Sequence, residues 1–369
     1  TKKQGTKTPF RAPPPGPPAG LACAQSSVTV FGVLDAAVTY TTGSGPVSAS
    51  KWQLTNSANS FSRLGFRGTE DLGGGMSAGF WLEAGIQNDT GSGFGTNTNN
   101  QASGNLASGG LTFNRRSTVS LSGRFGELRL GRDYTPSFWN TAIFDPFGTG
   151  SGIGASQLYF TGLGGLAAPT GTRASNSIGY FLPAGLSGFY GQAMYAMGEN
   201  PSNTVPSDAR HDGNYAGIRL GWQGGPWHVA VATGTTQYAA TGDLRVSNLG
   251  LSYTFASLSN LKLEGELYDE SLGEVDGRGA LVGFIWPVGP GEVRFSYAWY
   301  ERIPVGDVPK PTTQKLALGY VHNLSRRTAL YATVARIENS NGAAQALTGA
   351  ITSPNGSSTG TEFGVRHAF

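Results

Sequence analysis

At 369 residues the chain is long enough for two ordinary domains or for one large barrel, and its 57 glycines with only 13% charged residues fit the second. A formal charge of +3 without any basic run excludes a nucleic-acid footprint, and the single cysteine, Cys23, excludes a disulfide framework or a cysteine zinc site. No run of about 18 apolar residues occurs, so no transmembrane helix is expected, but a mean hydropathy of −0.20 is compatible with membrane strands, whose polar face masks the apolar one.

Residues 1–24 stand apart from all that follows. Their Pro-rich stretch PFRAPPPGPPAG runs into Ala22-Cys23-Ala24, which has the small-x-small form of a secretory cleavage site before Gln25, although the apolar segment expected upstream is absent. We read 1–24 as a leader-derived or disordered segment and 25–369 as a single barrel.

From Ser27 onward, segments suited to tilted membrane strands of about 9–11 residues recur. They cover 28–42, 60–69, 76–88, 113–123, 127–134, 174–183, 188–198, 213–223, 226–238, 244–255, 259–269, 276–288, 291–302, 313–323, 327–338 and 360–369, sixteen in all. Their connections take turns. Short ones fall at 71–75, 124–126, 184–187, 224–225, 256–258, 289–290 and 324–326; long ones fall at 43–59, 89–112, 135–173, 199–212, 239–243, 270–275, 303–312 and 339–359. Short turns on one rim and long loops on the other mark an outer-membrane barrel. An even strand number puts both chain ends on the short-turn side.

The period of two assigns faces. Leu64 and Phe66 oppose Arg63 and Arg67; Phe80, Leu82 and Ile86 oppose Trp81, Glu83 and Gln87; Val293, Phe295 and Tyr297 oppose Glu292, Arg294 and Ser296. Aromatic residues gather toward strand ends, as at Trp222, Trp227, Tyr253, Phe255, Trp286 and Trp299, where a membrane interface favours them.

The longest connection within the pattern, 133–173, lacks alternation and combines many glycines with Phe138, Trp139, Phe144 and Phe147. A loop of this length in a compact protein is functional or disordered, and its aromatic residues argue against disorder. The simplest arrangement folds it into the hollow that the strands enclose.

Residues 26–32 (SSVTVFG), 62–73 (SRLGFRGTEDLG), 79–83 (GFWLE), 115–119 (RRSTV), 130–133 (LGRD), 319–325 (GYVHNLS) and 364–369 (GVRHAF) together resemble the Gram-negative general porins, in particular the β-proteobacterial branch that includes anion-selective members. The resemblance implies an all-β fold, a transmembrane sixteen-stranded antiparallel β-barrel in the outer membrane with its long third loop folded into the lumen. It also implies a homotrimer, passage of small hydrophilic solutes and anions, no cofactor, no enzymatic activity, and an assembly signal at Phe369. Asp145-Pro146-Phe147-Gly148 resembles the tip of that family's constriction loop, with the acid before the proline rather than after it.

Facing that loop, parity turns Arg63, Arg116 and Arg173 inward near the outer ends of their strands, while the resemblance favours Arg115 over its neighbour. The expected constriction therefore comprises Arg63, Arg115, Arg116, Arg173, Asp145 and Phe147. Arginine keeps its charge at ordinary pH, and rings of one charge set the sign of the preferred ion. Arg67, Glu83, Arg129, Arg219, Lys262, Arg294, Lys315 and Arg366 form the remaining charged wall, many of them beside Glu127, Glu264, Glu266, Glu292 or Glu362 in a pattern that predicts ion pairs.

Other signals are weaker. The glycines of 148–154 lack the Lys-Ser/Thr of a phosphate loop. His211, His228, His322 and His367 show no metal-ligand spacing, and no metal is expected. A rim hydrolase would have only His211 as base, and an adhesin or receptor barrel would act through the Asn/Ser/Gly-rich loops.

Overall fold

Inside a bilayer every backbone N–H and C=O needs a protein partner, which strands satisfy only by closing on themselves. The computed structural model describes residues 27–107, 109–148, 150–154 and 169–369, with Thr1, Leu158 and Leu163. The readings made of the leader segment and of Cys23 fall outside the described residues.

Sixteen wall strands form the closed barrel: β1 (Ser27–Gly43), β2 (Arg63–Gly73), β3 (Met76–Gln87), β4 (Arg116–Gly123), β5 (Gly126–Tyr134), β6 (Arg173–Phe181), β7 (Phe189–Ala196), β8 (Tyr215–Gly224), β9 (Trp227–Thr236), β10 (Leu244–Phe255), β11 (Leu261–Leu272), β12 (Val275–Val288), β13 (Gly291–Ile303), β14 (Thr312–Asn323), β15 (Thr328–Ser340) and β16 (Ser357–Ala368). Each pairs antiparallel with the next, and β16 returns to β1 in register from Val33 opposite Ala368 to Gly43 opposite Ser358. Terminal Phe369 extends that seam: its N–H donates to the Gly32 carbonyl and the Gly32 N–H donates to its carbonyl, both at 3.1 Å. The Phe369 ring lies where a side chain on Gly32 would stand, so glycine there admits the ring.

All sixteen expected segments are strands, with ends shifted by a few residues. Two connections differ from expectation. The long connection after β1 contains a further strand, Lys51–Asn56, which pairs with the upper half of β1 above the point where β2 begins. The connection expected at 270–275 is a tight turn at Gly273-Glu274, because β11 and β12 keep pairing to Leu272 opposite Val275. On the short-turn rim, Gly74 and Gly75 both take positive φ, 62° and 80°, which side-chain-bearing residues rarely adopt.

The barrel is polar within and apolar without. Val38, Val119, Leu130, Ile178, Leu249, Val282, Leu316, Val334 and Phe363 are exposed outward, whereas Thr39, Thr118, Asn248, Glu266, Ser296, Lys315, Thr333 and Glu362 are buried inward. Such a surface is stable only when lipid covers it. Rings cluster near the short-turn rim, where Tyr253 packs 4.5 Å from both Trp227 and Phe255.

Candidate pore constriction

Beyond Tyr134 the chain leaves the wall and turns inward. Pro136 opens helix α1 (Pro136–Phe144), where its fixed φ and missing N–H suit the first helical position. The helix ends at Asp145, since the following Pro146 disfavours helical backbone in the residue before it. The Asp145 carboxylate accepts from Phe147 N–H at 2.9 Å and its carbonyl from Gly148 N–H at 2.8 Å, forming a tight turn.

The inner loop is tied to the lumen wall from β8 round to β16. Asn248 donates to the Ser137 carbonyl at 2.8 Å, Asn140 donates to the Ala230 carbonyl at 3.1 Å and accepts from Arg219 at 2.5 Å, and Thr141 donates to Glu266 at 2.9 Å. Further on, Ile153 N–H donates to Glu362 at 3.1 Å and Leu163 N–H to Glu270 at 3.2 Å. Phe147 is buried with Ile153, Ala317, Ala335, Ile337 and Leu347. Asp145 is 4% exposed, in the electrostatic field of Lys315, Glu264 and Glu266. The geometry therefore makes Asp145 the residue that shapes the tip turn and Phe147 the fastener of the loop against the wall.

The opposite wall, β2 to β6, carries the arginines. Arg115 and Arg173 both donate to the Tyr134 hydroxyl, at 2.6 and 2.9 Å, and Arg173 also lies 4.4 Å over the Tyr134 ring. Arg115 is paired with Glu83 at 2.5 Å, while Arg63 stands 3.8 Å from the same carboxylate oxygen and donates to the Phe61 carbonyl at 3.0 Å. One carboxylate thus pairs with two guanidiniums in a group of three, and Arg63 is the more open of the pair it bridges, with 27% of its side chain exposed against 7% for Arg115. Tyr134 in turn stacks on Phe138 of α1 at 5.0 Å, which joins the arginine group to the inner loop.

Arg115 and Arg116 both point inward. Arg116 obeys strand parity and leans toward Asp133 at 3.8 Å. Arg115 lies one residue outside β4, where the period of two no longer binds it. Among the other wall residues, Arg129 pairs with Glu127 and Asp133, Arg294 with Glu292, and Lys262 with Glu264. Arg219 and Arg67 have no carboxylate within ion-pair distance among the described residues: Arg219 bonds Asn140 and the Tyr190 hydroxyl, and Arg67 lies over Phe31 and Trp81. Sequence reasoning passed over Tyr134, whose signal was its place at the last strand residue before a Thr-Pro helix start.

The sequence profile described as Gram-negative porin matches residues 18–342. Outer membrane porin protein 32 of Delftia acidovorans is 37% identical over 363 residues, covering 95% of this chain and 96% of that protein. A second outer membrane porin protein, from Bordetella pertussis, is 29% identical over 266 residues, covering 68% of this chain and 59% of that one. Among solved structures, an anion-selective porin from Comamonas acidovorans matches with a TM-score of 0.78 at 35% identity, over 94% of this chain and 100% of its own. OmpT of Vibrio cholerae matches with a TM-score of 0.64 at 12% identity, over 93% of this chain and 99% of its own, a likeness of fold.

Proposed function

Since the chain belongs to the Gram-negative porin family, whose members are outer-membrane channels and not enzymes, we propose that its diffusion channel prefers anions and that Arg63, Arg115, Arg116 and Arg173 set the preference. The observation that carries this reading is the gathering of three guanidiniums near Tyr134, of which Arg63 and Arg115 share the single carboxylate of Glu83 among the described residues. Their charge persists at any ordinary pH, and low-dielectric walls focus it along the lumen. On the β11 side lie Glu264 and Glu266, with Asp145 of the inner loop, all three buried. The resulting transverse field orients polar solutes and opposes apolar ones. Passage needs no tight site, because strong binding would block it.

The finer readings rest on family likeness: a homotrimer, and Phe369 as the outer-membrane assembly signal. The solved anion-selective relative supports the ion preference in the same way. Neutralising Arg63, Arg115 and Arg173 singly to Gln and recording reversal potentials in a KCl gradient tests the assignment. We expect each change to lower the chloride preference, most at the open Arg63. Unchanged potentials in all three would remove these residues from the selectivity mechanism.

A further inference from the structure

On the edge of β1 that faces β2, two strands share the pairing: Lys51–Asn56 takes it from Ala36 upward and β2 from Val33 downward. Leu34 and Asp35 fall between them. The Asp35 backbone is satisfied instead by the connecting turn, residues 57–62. Its N–H donates to Ser62 Oγ at 3.0 Å, and its carbonyl accepts from Ser57 N–H at 2.9 Å. Backbone groups within a barrel wall require such partners.

The Asp35 side chain gathers the rest of the turn. It shares the inner face with Ala37 and Thr39 and is wholly buried. One carboxyl oxygen accepts from the backbone N–H groups of Asn59 and Ser60, at 3.1 and 2.7 Å, and the other accepts from the Tyr331 hydroxyl of β15 at 2.5 Å. Three donors from two distant segments converge on one buried acid, which holds the turn on the inner side of the wall. There it meets the inner loop and the arginine group alike. The Ser57 carbonyl accepts from Ser151 N–H of the inner loop at 2.8 Å. Side chains on Gly150 and Gly152 would begin 2.8 and 2.3 Å from the Ala58 carbonyl oxygen, so glycine lets the two backbones touch. At the other end of the turn, the Phe61 carbonyl accepts from Arg63 at 3.0 Å, and the Arg115 guanidinium lies 4.7 Å over the Phe61 ring.

We propose that Asp35 is a positioning residue for the channel: through residues 57–62 it keeps the returning limb of the inner loop, 150–153, against the wall and so sets the open width of the pore. A limb released from the wall has only the lumen to move into, because the packed wall bars the other direction. The proposal concerns width and does not depend on the ion preference.

The test uses the whole protein in liposomes and planar bilayers, reading the entry of uncharged sugars by swelling together with open-channel current noise. Tyr331→Phe removes one bond to Asp35 and no charged side chain. Gly152→Ala sets a methyl group against the Ala58 carbonyl. Each is expected to slow sugar entry about twofold and to raise the noise, as loss of a single anchoring contact would, while unheated samples keep the gel mobility of the closed barrel. Because both act on one contact, the double variant is expected to slow entry no more than the stronger single one. Wild-type sugar entry and noise in both single variants overturn the proposal. So does a double variant whose effect is the product of the two, since the sites would then act apart. Asp35→Asn is expected to exceed either; wild-type sugar entry through a closed Asp35→Asn barrel also overturns the proposal, and if that variant does not close, the two milder ones decide.

Discussion

At the residue scale, the charge at the proposed constriction depends on Glu83. It pairs with Arg115 at 2.5 Å and stands 3.8 Å from Arg63, so it both compensates two cations and fixes their spacing. Glu83→Gln should increase chloride preference in bilayers and also destabilise the barrel, by about 3 kcal/mol if the pair behaves as a buried one. A shift of the reversal potential toward potassium would contradict this. The sequence disclosed these residue types but not their partners. Parity turned Arg63, Arg116 and Arg173 toward the inner face, yet it had no authority over Arg115 outside its strand, nor over Tyr134, whose hydroxyl accepts from residues 19 and 39 positions away. Contacts across neighbouring strands depend on their register, which the period of two along a single strand does not fix.

At the scale of elements, the inner loop is held by its fasteners more than by its helix. Phe147 sits in a wall pocket whose floor is Gly319, where an added Cβ would stand 2.8 Å from the Phe147 ring. Gly319→Val should therefore unseat the ring and loosen the loop, and Phe147→Ala should do the same by leaving a cavity that costs about 3 kcal/mol. Both are expected to raise open-channel current noise and to speed protease cleavage between α1 and β6; native noise and resistance in both variants would show that the loop is held elsewhere. The sequence made the strands readable because alternation repeats along each one. It left α1 and the Lys51–Asn56 strand hidden within long connections, since a single short element offers too few periods to read. The Thr135-Pro136 start was the available cue for the helix.

At the scale of the whole molecule, stability depends on an outer surface that only lipid satisfies. Val334 lies at the middle of β15 and is 49% exposed, while its neighbour Thr333 is buried inward. Val334→Arg should cost about 2–4 kcal/mol of stability in bilayers, the range for a cation at mid-depth on the lipid face. An effect near zero on refolding into lipid vesicles would place Val334 away from the membrane midplane. At the seam, Gly32→Val is expected to displace the Phe369 ring and lower the yield of closed barrel, read from the mobility of unheated samples on denaturing gels. Wild-type mobility would show that the ring is dispensable for closure.

The proposed anion preference shows itself in the sign of the current carried through the lumen. The most direct measurement is the zero-current potential of the wild-type protein across a planar bilayer separating unequal KCl concentrations. Guanidiniums governing the constriction predict the polarity set by chloride crossing faster than potassium; the polarity set by potassium would contradict that account.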